Sequence, residues 1–145
     1  MFSNVLTVKR LQDKKSIAIF DVNKEAELFK EHFIEDPILP GAFSVVLCLE
    51  LIVQSVSKEK HKQFFVAEIM KISFLKPIRP RDRLFVRIRD IKYFESDVTV
   101  AFNVSSAELD IFVDGLIKLR GFNETVSNCN RWYSRYRKRN YDLIG

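Results

Sequence analysis

Apolar and polar residues alternate along two stretches in the second half of the chain, and a period of two is typical of half-buried antiparallel strands. Residues 84–88 and 98–104 show this alternation, with apolar side chains on one face and mainly charged or polar side chains on the other. Composition and turn residues predict further strands, at residues 5–10, 16–22, 64–75 and 109–119. The first two of these form an N-terminal hairpin, so the pattern favours an antiparallel sheet.

A different pattern covers residues 42–57, which are apolar nearly all the way round and predict a helix enclosed on most sides. Its most apolar part spans twelve residues, whereas a bilayer crossing needs about 20, so we expect a core helix. Pro37 and Pro40 end regular structure before Gly41 opens the helix, and residues 23–33 predict a short helical turn and loop. One helix among antiparallel strands indicates an α+β fold in which a curved sheet wraps that helix.

The composition fits one compact domain, because 47% of the 145 residues are hydrophobic and only 4 are glycine. We expect this domain to span residues 1–122, followed by a basic, aromatic tail at residues 123–145. Cys48 and Cys129 are spaced unlike a zinc site or a redox pair, which predicts two free thiols in a reducing compartment. Residues 1–10 lack the apolar run of a signal peptide, so we expect a cytoplasmic protein.

The net charge of +5 is unevenly distributed along the chain. Residues 76–92 contain seven basic and two acidic side chains, and residues 131–139 contain five basic side chains and no acidic one. The remainder is net acidic. Two basic stretches on an acidic body indicate an anionic partner: a phosphate-bearing ligand, an acidic protein, nucleic acid or a membrane surface. Composition does not choose among these four.

The loop before the predicted helix reads HFIEDPILPG over residues 32–41. It resembles the His-Phe-Pro-x-x-Pro-x-x-Pro-Gly signature of the β-hydroxyacyl-acyl-carrier-protein dehydratases, with five of six fixed positions in register. A second segment, FLKPIRPRDRL over residues 74–84, is similar to that family's Phe-x-x-Pro-x-x-Pro-x-Asp-x-Leu segment. Over roughly residues 16–121 the resemblance implies the hot-dog fold, an antiparallel sheet around one long helix. It also implies a homodimer or a higher even oligomer, with active sites at the dimer interface.

Dehydration of a 3-hydroxyacyl thioester needs a base for the C2 proton, an acid for the leaving hydroxyl and a donor for the carbonyl oxygen. Imidazole titrates near neutral pH, so His32 suits the base, and the Gly41 N–H at a helix start suits the carbonyl donor. The resemblance implies the same two roles. It also implies that Phe33, Pro40 and Val46 contact substrate, and that neither a metal nor another cofactor is required.

The family places its acid, Glu or Asp, fourteen residues after the histidine on the central helix of the partner subunit, and this position is Val46 here. Glu50 is the nearest carboxylate on that helix, on the same face and about 6 Å further along the axis. We therefore expect Glu50 to act as a displaced acid. Val46 also supports an alternative, a non-catalytic hot-dog subunit that binds acyl chains or carrier protein and partners an active homologue.

The resemblance implies acyl carrier protein as the partner, since that protein is acidic and carries its cargo on a phosphopantetheine arm. We expect Arg79, Arg81, Arg131 and Arg135 to form its docking rim. The tail interleaves aromatic residues with arginines, and we rank carrier-protein binding above contact with an anionic membrane. Nucleic acid ranks last, because no nucleic-acid-binding module accompanies the tail. Thioesterase activity is a third alternative, but neither the loop nor the helix start resembles those enzymes.

Overall fold

A computed structural model describes residues 5–11, 16–31 and 35–122. The described elements are β1 (Leu6–Arg10), β2 (Ser16–Val22), α1 (Glu27–Glu31), α2 (Gly41–Lys60), β3 (Phe64–Phe74), β4 (Arg83–Phe94), β5 (Asp97–Ser105) and β6 (Ile111–Gly121). The predicted α+β arrangement and the N-terminal hairpin are therefore confirmed. The tail at residues 123–145 lies outside the described residues.

All six strands form one antiparallel sheet in the order β1-β2-β4-β5-β6-β3. The hairpin of β1 and β2 joins this sheet through pairing of β2 with β4. In the described residues β1 and β3 are its two edge strands. The edge strand β3 follows α2 directly, so the chain crosses from the helix to the far edge of the sheet before the remaining strands fill the middle.

The core lies between α2 and one face of the sheet. Alternate residues of β4, β5 and β6 face it, as the period of two predicts, and α2 contributes Leu47, Ile52 and Val56, which are completely buried. Phe102 is also completely buried and fits where Gly115 has no side chain, because a Cβ there would lie 2.5 Å from the Phe102 ring. The complementary shapes of neighbouring residues, and not only their apolar character, therefore determine how the interior packs.

One side of α2 is only partly covered by the described chain. Ala42 is exposed, and Phe43, Val46 and Leu49 are only half-buried along one side of α2. By length and composition α2 meets the criteria for a membrane-crossing helix, and 50% of its most apolar window is buried within the chain. The predicted sheet around one long central helix is confirmed, and the apolar residues of α2 also continue onto the side that the sheet of the same chain does not cover.

The arginines of β4 do not form the simple solvated row that alternation predicts. A bulge between Ile88 and Asp90 shifts the register against β5. Before the bulge Arg87 is half-buried, and its guanidinium donates hydrogen bonds of 2.9 Å to the hydroxyls of Ser105 and Ser16. Arg87 therefore joins strands β2, β4 and β5 on the outer face of the sheet.

Candidate functional site

The start of α2 is held in place by the loop that precedes it. The Leu39 N–H donates a 2.7 Å hydrogen bond to the Ile78 carbonyl, so this loop pairs with the connection between β3 and β4. Pro40 is the N-cap residue in an extended conformation, and no side chain among the described residues caps the helix start. The Phe43 N–H donates to the Pro40 carbonyl, so the Gly41 and Ala42 N–H groups are the helix-start donors that remain for a ligand, at the end of the helix that carries partial positive charge.

An apolar cleft of about 440 Å³ opens at this helix start. Gly41 and Ala42 form one wall, and Phe74 and Leu75, at the end of β3, form another. A Cβ on Gly41 would collide with the Phe74 ring, so only glycine allows this close approach. The cleft therefore presents a backbone amide beside apolar walls, as binding of an acyl thioester requires.

Two side chains that could be mistaken for nucleophiles have structural roles. The Ser44 hydroxyl is completely buried and donates a 2.8 Å hydrogen bond to the Gly41 carbonyl, as expected for a polar residue in a first helical turn. Burial raises the pKa of the Cys48 thiol to about 12, so the reactive thiolate is not formed near neutral pH. The second cysteine, Cys129, lies outside the described residues. No cluster of three metal-binding side chains is found in the part of the chain that the structure describes.

Val46 and Glu50 both lie on α2, but at some distance from the cleft. Val46 is half-buried and Glu50 is 7% exposed. Glu50 lies nine positions after Gly41, which corresponds to about 13 Å along the helix axis. Gly41 and Glu50 of one chain therefore do not meet at one thioester. The other two residues of the motif, His32 and Phe33, lie outside the described residues.

The predicted docking arginines have different surroundings. Arg79 forms an ion pair with Asp36, with its Nε 3.2 Å from the carboxylate, and so links the loop before α2 to the loop after β3. Arg81 is exposed in a left-handed conformation, with a φ of 75°, and its backbone N–H donates to the Val22 carbonyl. The tail residues Arg131 and Arg135 lie outside the described residues.

Lys76 is a candidate that the sequence analysis missed. It lines the cleft beside Leu75 and Pro77, and its ammonium lies 3.6 Å from the Asp110 carboxylate with both side chains more than half exposed. Such an exposed pair is weak and leaves the lysine available to an anionic ligand. Its place inside the FLKPIRPRDRL segment was the signal that could have identified it.

One long helix against an antiparallel sheet, with an uncapped helix start in an apolar cleft, defines a protein of the hot-dog fold. Residues 8–116 match the model of the ApeI-like family, described as ApeI dehydratase, and the chain belongs to this family. This match confirms the resemblance derived from the motifs at residues 32–41 and 74–84.

Curated relatives of known sequence support the family assignment. The chain is 33% identical over 105 residues to 3-hydroxyacyl-[acyl-carrier-protein] dehydratase FabZ of Streptococcus equi subsp. zooepidemicus, covering 68% of this chain and 70% of that protein. It is 27% identical over 93 residues to the FabZ of Syntrophobacter fumaroxidans, covering 59% of this chain and 60% of that protein. The latter alignment thus spans less than two thirds of the relative.

Among solved structures, a hypothetical thioesterase with coenzyme A from Streptococcus pneumoniae TIGR4 superimposes with a TM-score of 0.64. It is 11% identical and covers 85% of this chain and 91% of that chain. The hexameric thioesterase y2039 from Yersinia pestis gives a TM-score of 0.55 at 13% identity, covering 61% of this chain and 76% of that chain. At these identities the two structures show the fold alone, and the predicted hot-dog fold is confirmed.

Proposed function

We propose that this protein eliminates water from 3-hydroxyacyl thioesters of acyl carrier protein and gives trans-2-enoyl thioesters for fatty acid or related lipid or polyketide synthesis. His32 takes the C2 proton, the Gly41 N–H binds the thioester carbonyl oxygen, and Glu50 protonates the departing C3 hydroxyl. Phe33, Pro40 and Val46 contact the acyl chain. The observation that carries the proposal is the close approach of Phe74 to Gly41, which joins an uncapped helix start to an apolar cleft in a dehydratase family member.

The distance between Gly41 and Glu50 supports a site built from two copies of the chain. A second copy can bring its own α2 to the cleft, whereas one chain separates the two groups by about 13 Å. Phe43, Val46 and Leu49 would then be covered, and the partner subunit's Glu50 would face the substrate. We therefore propose a homodimer, or a higher even oligomer, as the active species.

Strand β3 is the edge at which two copies would join. Its residues 67–71 are all exposed, including Ile69 at 49% and Met70 at 44%, and β3 pairs only with β6 among the described strands. A long apolar edge without covering elements is a template for strand pairing. Antiparallel pairing of β3 with its copy would continue the sheet across the dimer.

Placing a charge on this edge should dissociate the dimer. Because the contact is symmetric, Ile69→Lys introduces two charges at once, and we expect dimer affinity to fall by about a hundredfold. Leu109→Lys changes a residue that is 65% exposed in the turn between β5 and β6, and should leave affinity unchanged. Sedimentation equilibrium measures both. A dimer of unchanged affinity in Ile69→Lys would place the interface elsewhere.

Docking of the acidic carrier protein is proposed for the cleft side of the molecule. Lys76 lines the cleft there, and Arg81 lies on the same connection between β3 and β4 without an ion pair in the described residues. Arg79 is engaged with Asp36 and contributes mainly to the shape of the loop. A cytoplasmic location, as expected from the sequence, fits a carrier-protein substrate.

The deciding experiment incubates the purified protein with 3-hydroxyacyl or trans-2-enoyl carrier-protein thioesters of several chain lengths and follows loss or addition of water by mass spectrometry. Turnover supports the proposal, and release of free acid instead would indicate a thioesterase. Absence of any turnover favours the alternative of a non-catalytic subunit, for which Val46 is the motivating residue. In that case Val46→Glu, which places a carboxylate at the family's position, should create activity.

A further inference from the structure

The cleft at the start of α2 has two walls that come from separate parts of the chain. One wall is the segment that leads into the helix and includes Ile38, Leu39 and Gly41. The other wall is the connection from β3 to β4, at residues 74–78. Contacts between these two segments therefore set the width of the cleft, and with it the distance from the Gly41 amide to the opposite apolar wall.

Two neighbouring polar contacts join the walls. The Leu39 N–H donates a 2.7 Å hydrogen bond to the Ile78 carbonyl, and both of these side chains are buried. Beside this bond the Arg79 guanidinium donates twice to the Asp36 carboxylate, with Nε 3.2 Å from Oδ1 and Nη2 3.5 Å from Oδ2. A single hydrogen bond lets two segments rotate about it, whereas a second contact further along the loop restrains that rotation.

Arg79 is itself attached to the sheet. Its backbone N–H donates a 2.7 Å hydrogen bond to the Asp82 carboxylate, and the Asp82 N–H donates to the Arg79 carbonyl. The same turn pairs with the end of β2, because the Arg81 N–H donates to the Val22 carbonyl and the Val22 N–H donates to the Asp82 carbonyl. The Arg79 side chain therefore reaches the loop before α2 from a support that is hydrogen-bonded to the sheet.

Asp36 and Arg79 are not fixed residues of the two motifs. Both stand at variable positions, Asp36 in the HFIEDPILPG segment and Arg79 in the FLKPIRPRDRL segment. Among the ion pairs of the described residues, theirs is the only one that joins these two segments. The pair is therefore a property of this chain that the family motifs do not imply.

We propose that Arg79 is a positioning residue, which sets the width of the cleft through its ion pair with Asp36 and so holds the Gly41 amide where the thioester carbonyl oxygen binds. This inference rests on the proposed dehydratase function. A small displacement of a group that orients the substrate lowers the rate of the chemical step. Because the side chains of Arg79 and Asp36 are 48% and 65% exposed, the pair is of moderate strength, and its loss should reduce turnover without abolishing it.

Kinetics with a carrier-free substrate test this role. On a 3-hydroxyacyl thioester of N-acetylcysteamine, Arg79→Gln and Asp36→Asn should each lower kcat roughly five- to tenfold and leave KM within about twofold, because each removes the same ion pair. The double variant should lose no more activity than either single variant, since the two residues act together. Arg79→Lys keeps the charge but lacks the planar two-donor group, and should retain an intermediate kcat.

The same two substitutions have opposite expected effects if Arg79 instead contacts an acidic carrier protein. Arg79→Gln would then raise KM for carrier-bound substrate, Asp36→Asn would lower it, and kcat with the carrier-free substrate would not change. That result would overturn the proposal. Arg120→Gln is the matched control, because Arg120 donates in the same way to Asp97 from a side chain that is 51% exposed, and its kcat should be unchanged. An equal loss in this control would also count against the proposal.

Hydrogen exchange tests the ion pair independently of turnover. In Arg79→Gln and Asp36→Asn the Leu39 amide should exchange several-fold faster than in the unchanged protein or in Arg120→Gln, as followed by mass spectrometry of a peptide over residues 35–43. Unchanged exchange, or faster exchange with unchanged kcat, would overturn the positioning role. Absence of turnover in the unchanged protein would instead be a failure of the proposed dehydration, and the exchange rates would still decide whether Arg79 holds the two walls together.

Discussion

In the His32→Ala variant the rate of dehydration is expected to fall by a factor of about 10²–10⁴, because no other group of the proposed site can take the C2 proton. Glu50→Gln preserves the shape of the helix side chain and removes its acidic proton, and should lower turnover by a similar factor. Both variants are compared by mass spectrometry with 3-hydroxyacyl carrier-protein substrate. Full activity of Glu50→Gln would remove this residue from the mechanism and leave the base assignment standing.

Mixing the two inactive variants tests whether the site is shared between subunits. If His32 of one subunit works with Glu50 of the partner subunit, each mixed dimer has one site with both residues intact. Refolding an equal mixture should then restore about a quarter of normal activity. If both groups acted within one chain, every site in the mixture would be defective and no activity would return. The Ser44→Ala variant, in which only a helix-end hydrogen bond is lost, serves as the control for mixing and refolding.

Phe102→Ala should give the largest loss of stability, about 3–5 kcal/mol, because the ring is completely buried and truncation leaves a cavity beside Gly115. Phe94→Ala makes the same chemical change on the same sheet at a residue that is 75% exposed, and should change the free energy of unfolding by less than about 0.5 kcal/mol. Urea denaturation followed by circular dichroism measures both. Equal losses in the two variants would contradict the described packing of β5 against β6.

The fold could be predicted from the sequence because two patterns, the alternation in the strands and the continuous apolar run in α2, indicate different elements. Alternation at residues 84–88 and 98–104 predicts a sheet with one buried face, and the long apolar run after Gly41 predicts a helix. Periodicity does not show whether an apolar position is covered by the same chain or by a second copy. The pattern therefore predicts an enclosed helix as a whole, and only the structure shows that Phe43 and Val46 are half-buried within one chain.

For similar reasons, the sequence predicts some parts of the candidate site and not others. Gly41 could be assigned from its motif, but its contact with Phe74 depends on how the end of β3 returns to the helix, which no local pattern contains. Ser16, one of the two partners of Arg87, lies beside it because a bulge between Ser16 and Ala18 shifts the register of β2 against β4 by one residue. The distance from Gly41 to Glu50 follows from helix geometry alone. The structure adds that the cleft lies at the Gly41 end of α2, so Glu50 of the same chain is too far away to reach it.

Because Cys48 is buried, the rate at which its thiol is alkylated can be used to measure how often the core opens. In a Cys129→Ser background the remaining thiol is fully covered, and its pKa of about 12 keeps it protonated, so alkylating reagents can modify it only when the helix separates from the sheet. The rate of alkylation then reports how often the wrapped helix opens. Comparing that rate with and without an acyl ligand would show whether occupation of the cleft holds the two layers together.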